Sequence, residues 1–334
     1  MKPILTCTVI TNKATFQNKS QTARAYSRKN RIYTFRRFLL DTFPRLSRTV
    51  NCNDGRDDPP PIVLDVAGGK GSLSFLLQHV DGYESVVVDP VPNNYRSIVR
   101  SIEFLARNPA VRRERAVEGW EGHQPLAALL PRLMKRAQID TTETAAAWTE
   151  EENLSFFPPA SHLKLYFDNA LVEAVREYVT QSKIDEQTAF HDWSVFFHSA
   201  SARISFNGTR NNHNIISDPH RALHTIMVAD LLVGFHPDQA TEPIVDLAIY
   251  LGKPFAIVPC CVFPREFPNR LLLRDTFDSM GGSALEEKKV RKYEDLVCYL
   301  KLKHKKMRAC DLEFNEIGEK TARRTVLYMT PEDF

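Results

Sequence analysis

Apolar positions along the chain fall into two kinds of run. Residues 62–64, 85–88, 231–233 and 255–258 are short apolar stretches bounded by Pro, Gly or Asp, which predicts buried strands. Elsewhere the spacing lengthens to that of a helix. Ile32, Phe35, Leu39 and Phe43 share one face, predicting an amphipathic helix over 31–46 that Pro44 ends. Leu73, Leu76 and Leu77 open a helix directly after the first strand. Tyr95, Ile98, Ile102 and Leu105 predict another over 93–107. Ile244, Val245, Leu247, Ala248 and Leu251 form one buried helix face, with Thr241 as its N-cap and Gly252 and Pro254 as its stop. Further helices are expected over 126–136, 170–180 and 293–302. Residues 162–167 and 202–206 compete for a third strand, and 312–314 and 325–329 read as closing strands. No internal repeat is visible, and an acidic, low-complexity join spans 141–152.

The densest chemistry follows the first strand. Asp65 ends it, and Ala67-Gly68-Gly69-Lys70-Gly71 forms a glycine-rich turn that runs into a helix. Strand, glycine turn, helix is how an open α/β sheet builds a nucleotide site, because the turn lets a ligand approach the backbone. The second strand also ends in an acid, Asp89, placed to meet a ribose. A dinucleotide turn reads G-x-G-x-x-G and cradles a pyrophosphate, but here the third glycine position falls on Ser74. Asp65 would repel a pyrophosphate and suits a cationic ligand.

The stretch D-x-A-G-G-x-G resembles motif I of class I S-adenosylmethionine methyltransferases, with Ala67 where the first glycine usually stands. That resemblance implies S-adenosyl-L-methionine as cofactor. Asp65, Ala67, Gly68, Gly69 and Gly71 then face its methionine end, and Asp89 bonds the ribose hydroxyls. It also implies a doubly wound α/β, Rossmann-like methyltransferase sheet with an N-terminal helix and a closing antiparallel pair. Such a sheet needs far fewer residues between its second and fourth strands than this chain has. The excess, about 108–225, is therefore read as an insertion shaping the substrate site. Trp193, Phe196, Phe197 and His198 lie in it, read mostly as core, with base stacking as the functional alternative.

A second loop, Gly234 to Asp238, follows the fourth strand, where doubly wound folds place ligands, and Gly234 is read as part of the cofactor site. Methyl transfer needs the acceptor held in line and often a base for its proton. His236, with an ordinary pKa of about 6.5, is the candidate base, and Asp238 the group to orient it or hold the acceptor. The alternative is that Asp238 only shapes the turn. No D-P-P-Y-type motif is present, which argues against exocyclic or amide nitrogen acceptors. Gly234, His236, Ala240, Thr241, Cys260 and Cys261 are similar to the loop and strand end of the zinc-finger-bearing tRNA 2′-O-methyltransferases and their methyltransferase-like relatives. Phe235 stands where that family has lysine, and its loop glycine and zinc modules have no counterpart. The resemblance implies an RNA ribose acceptor. Cys260 and Cys261 alone do not complete a metal ligand set and are read as buried thiols packed beside the pocket, so no metal is expected.

Charge bears on the partner. The net charge is only +3, yet residues 1–40 hold no Asp or Glu and nine Lys or Arg from Lys2 to Arg37. Basic groups recur at Arg107, Arg112, Arg113 and Arg115 and at Lys301, Lys303, His304, Lys305, Lys306 and Arg308. Such clusters are the electrostatic footprint of a nucleic acid, so RNA or a ribonucleoprotein is the expected partner, solvated faces being the alternative. Residues 1–30 read as an arm, RNA-contacting, plainly disordered or like a mitochondrial transit peptide. No span long enough for a bilayer and no disulfide framework among six cysteines are seen, which favours an intracellular address. The division expected is a basic extension and helix over 1–58 and one methyltransferase domain over 59–334. Activity on a small molecule or protein, or a non-catalytic assembly role with RNA, are the alternatives.

Overall fold

Val63 and Leu64 are neighbours in the chain and bury their side chains on opposite sides of one sheet. The computed structural model describes residues 21–43, 60–93, 98, 158–204, 214–277, 283–312 and 323–334. Within these, strand β1 (Ile62–Val66) is the third strand across a seven-stranded mixed sheet. Its companions are β2 (Glu84–Val88), β3 (Ser161–Leu163), β4 (Leu231–Phe235) and β5 (Phe255–Val258). The strand order is β3-β2-β1-β4-β5-β9-β8, where β8 is Arg308–Asp311 and β9 Thr325–Met329. β1 to β5 run parallel, β9 is antiparallel to β5, and β8 is antiparallel to β9. The chain is thus α/β, and the strand order reverses direction between β1 and β4.

The period-2 alternation of a strand decides what covers each face. Val63, Leu231, Val233, Ala256 and Val258 join Phe35, Leu39, Phe43, Leu73 and Leu77 on one side. Phe35 and Leu39 belong to helix α1 (Gln21–Thr42), which Phe43 directly follows, and Leu73 and Leu77 to α2 (Ser72–His79). Leu64, Val66, Val86, Val88, Leu232, Phe255 and Ile257 face the other side. There α3 (Asn169–Gln181), α4 (Glu186–Ala202), α5 (Pro219–Val228), α6 (Thr241–Leu251) and α7 (Tyr293–Lys301) supply the cover. Burial on both faces explains why the strands read as continuous apolar runs.

Several expectations shift. Helix α1 begins at Gln21, inside the segment read as an arm, and ends at Thr42. Of its apolar line Phe35, Leu39 and Phe43 are buried and Ile32 is half-buried. Arg36, also buried, is paired through Nε with Asp81 Oδ2 at 2.7 Å, so it is not part of a free basic face. The third strand is Ser161–Leu163, while Ala202 ends α4. Thr241 is not an N-cap: a short 3-10 turn, Asp238–Ala240, precedes it, and its hydroxyl donates to Asp238 O at 2.7 Å. Gly252, at φ 63°, does terminate α6. β8 lies just before the strand expected at 312–314. A two-stranded antiparallel sheet, β6 (Leu271–Phe277) and β7 (Ser283–Lys289), was not anticipated. Trp193 and Phe197 are core, with Trp193 Nε1 donating to Pro219 O at 2.8 Å, whereas His198 is exposed. The expected helix over 126–136, the acidic join over 141–152, the patch at 107–115 and most of the helix over 93–107 lie outside the described residues.

Candidate functional site

The carboxyl ends of β1, β2, β4 and β5 carry nearly every candidate residue. The first turn is assembled from β1 outward. Ala67 N donates to Val88 O at 2.8 Å, prolonging the ladder, and Gly71 N donates to Gly68 O at 2.9 Å. Ala67 sits at φ 53°, in the left-handed region that costs an L-residue about 1 kcal/mol or more. A glycine at this position would avoid that cost.

The three glycines serve different needs. A Cβ on Gly68 would lie 2.6 Å from Asp65 Oδ2 and 2.7 Å from its Cγ, so the carboxylate packs directly against that backbone. A Cβ on Gly71 would lie 3.0 Å from Asn93 Oδ1. Gly69, at φ 56°, faces open space, with nothing within 4 Å of the position a Cβ would take. Of these three, Gly69 alone has open space beside its backbone.

Both acids are turned to their own backbone. Asp65 is 1% exposed, and its Oδ2 accepts from Ser74 N at 3.2 Å and Ser74 Oγ at 2.9 Å. Ser85 Oγ donates in turn to Ser74 Oγ at 2.9 Å. Gly71 cannot cap α2 with a side chain, so Asp65 supplies the acceptor from the neighbouring strand. Burial pushes the Asp65 carboxyl up to about 7. The Ser74 hydrogen bonds oppose the rise and Asp89 adds to it. Asp89 Oδ2 accepts from Gly69 N at 2.9 Å and Oδ1 from Val91 N at 2.8 Å. Asp89 thus fastens the end of β2 to the glycine turn.

Two residues of this site had no signal in the sequence. His162, buried in β3, meets the Asp89 carbonyl through Nε2 at 2.7 Å, and burial holds its pKa down, so the neutral ring donates. Asn93 is buried beside Gly71, and its Oδ1 has no partner among the described residues. A three-residue strand and an asparagine after two prolines carry no pattern to flag them.

The second loop gathers the other candidates. A Cβ on Gly234 would lie 2.8 Å from Ile244 Cδ1 and 2.9 Å from Pro237 Cγ, so that glycine lets α6 and the loop close on β4 rather than opening to a ligand. His236 N donates to Val258 O at 3.1 Å, and the residue sits at φ 58°. Its ring lies 4.4 Å from that of Phe235, which stacks on Phe35 of α1 at 5.1 Å. Burial, with Arg31 adding, brings the imidazole down to about 4, against the pull of Asp238. The ring is therefore neutral near pH 7, and its buried Nδ1 has no partner. Asp238 is exposed, at φ 47°, and takes the Cys260 thiol on Oδ1 at 3.1 Å instead of the imidazole. Asp238, Cys260 and Cys261 bring one ligand atom each to within 4.8 Å of one another.

No family model, curated protein or solved structure matches the chain.

Proposed function

We propose that the chain is an S-adenosylmethionine-dependent methyltransferase acting on RNA. The observation that carries this reading is the glycine turn between β1 and α2. It has free space at Gly69 and lies where the strand order reverses, the place at which open α/β sheets bind nucleotides. The sheet order, with its one antiparallel strand wedged beside the edge strand β8, is consistent with the Rossmann-like class I methyltransferase fold that motif I implies.

The residues present fit the cofactor in two respects. Gly69 leaves its approach clear, and Asn93 Oδ1 is a buried acceptor in need of a donor. The cofactor, when bound, supplies an electrophilic methyl group on a sulfonium. Asp65 and Asp89 hold the turn's shape, and Asp65 adds negative charge whenever it is ionised. Phe35, Phe235 and His236 form an aromatic wall at the end of β4. His236 there is a neutral acceptor and a weak base.

That weakness favours a second reading, a non-catalytic assembly factor that binds the cofactor and RNA without turnover. RNA as partner rests on the acid-free N-terminal segment. Among the described basic residues near the C-terminus, Lys303 is held by Glu242 and Asp246, and Arg308 by Asp333, while Lys305 and Lys306 are exposed. No helix among the described residues is long and apolar enough to cross a membrane.

Incubating the chain with methyl-labelled S-adenosylmethionine and separate RNA, protein and small-molecule fractions tests the proposal. Label is expected in RNA. Label in either other fraction would move the acceptor class, and no transfer by a chain that binds the cofactor would select the assembly reading.

A further inference from the structure

Asp238 follows β4, Cys260 and Cys261 follow β5, and 22 residues separate Asp238 from Cys260. The parallel register that sets Phe235 against Val258 brings both loops to one point. There the carboxylate and the two thiols lie within 4.8 Å of one another, with Cys260 Sγ donating to Asp238 Oδ1 at 3.1 Å. We propose that Asp238, Cys260 and Cys261 form a zinc-binding site with one coordination position left open.

Packing alone does not explain the trio. Asp238 and Cys261 are exposed and Cys260 is only half-buried, so the sequence-based reading of two buried thiols is corrected and an ion can reach all three. The loops hold the trio in place. His236, Asp238 and Phe263 all take left-handed backbone conformations, and buried Arg270 anchors the loop after β5 through Nη1 to Val262 O at 3.0 Å. Strain of this kind persists only where the surroundings fix it.

Ligand chemistry selects the metal. Two thiolates and one carboxylate suit borderline-soft zinc, whereas magnesium and calcium require all-oxygen shells. Zn–S bonds of about 2.3 Å and Zn–O bonds of about 2.1 Å put tetrahedral ligand atoms about 3.5–4 Å apart, within side-chain adjustment of the arrangement here. Three protein ligands with a fourth position open is the pattern of reactive rather than structural zinc. The role, unlike the binding, rests on the methyl-transfer reading: the open position takes an acceptor hydroxyl at the ends of β4 and β5.

The test uses the full chain, stripped with chelator and titrated with zinc, then cobalt, without S-adenosylmethionine. One equivalent of zinc is expected, with a thiolate-to-metal absorption band in the cobalt form. Cys260→Ser, Cys261→Ser and Asp238→Asn should each weaken zinc by at least about tenfold, since loss of an outer-shell partner alone costs 10–100-fold. Circular dichroism checks that the variants fold, and the wild-type cobalt spectrum stands independently of them. A wild-type chain that takes up no zinc, a cobalt form lacking the band, a Cys260–Cys261 disulfide that forms in place of metal uptake, or a Cys260→Ser/Cys261→Ser double variant that retains zinc would each overturn the proposal. None of these readouts involves the cofactor, so the site fails or stands apart from the methyl-transfer reading.

Discussion

Glu242→Ala is expected to lower the unfolding free energy by about 3–5 kcal/mol, the cost of breaking a buried ion pair from one side. Glu242 is 9% exposed and Arg270 4%. Glu242 Oε2 accepts from Arg270 Nε at 2.6 Å, and its Oε1 meets Tyr299 Oη at 2.6 Å and Lys303 Nζ at 2.7 Å. One carboxylate in the first turn of α6 therefore ties together the residue preceding β6 and the last turn of α7. Arg270 has little in reserve: Nη1 is used on Val262 O, Nη2 has no partner, and the guanidinium lies over the Phe267 ring at 3.7 Å. Without Glu242 that charge stays buried and uncompensated. Denaturant unfolding at constant m reads the loss. A double change to apolar residues, Glu242→Leu with Arg270→Met, should cost less than Glu242→Ala, because it removes both desolvation penalties. The pH response follows. Burial raises the Glu242 pKa, but Lys303, Tyr299 and Arg270 outweigh it and hold the group below its ordinary 4.5. Its contribution is present above that value and disappears as pH falls through the lowered one.

Asp65→Asn has a comparable effect of opposite sign. The folded chain holds the Asp65 proton up to about pH 7, against 3.8 for the free group. The folded state thus binds the proton more tightly than the unfolded chain does. The Asp65 contribution to stability is greatest below about pH 4, falls as pH rises toward 7, and is level above that. A shift of about three units corresponds to about 4 kcal/mol at most. Asparagine keeps an oxygen for Ser74 and does not titrate. The variant should therefore lose this decline and be the more stable of the two at pH 8 in the absence of ligand. Unfolding midpoints from pH 4 to 8 decide it, and parallel profiles for the two proteins would contradict the burial of an ionisable carboxyl.

What the sequence made legible follows from what each element buries. β1, β4, β5 and α6 announce themselves because they are apolar runs closed by Gly, Pro or Asp. β3 is too short to show a period, and β6 and β7 mix Arg274, Asp275, Glu286 and Glu287 into their runs, so neither pattern stands out. The start of α1, from Gln21 to Asn30, lacks an apolar face. At the site, Asp65 and Asp89 are readable as residues, but the direction of their carboxylates is not. That direction depends on Gly68 letting Asp65 against its backbone and on Gly69 offering its N–H to Asp89. The meeting of Asp238 with Cys260 depends on the pairing of β4 with β5, which no local spacing records. Likewise His236 has an ordinary pKa on paper and a depressed one beneath α1.

Calorimetric titration of the chain with S-adenosylmethionine, beside a Gly69→Asn variant, tests the central claim most directly. Asparagine tolerates the left-handed backbone at residue 69 and projects a side chain into the space that a ligand would use. The wild type should bind at a single site, and the variant, folded and melting near the wild-type temperature, should bind at least about tenfold more weakly, or about 1.4 kcal/mol. No heat from the wild type, or equal affinity in the two, would contradict a cofactor site at this turn.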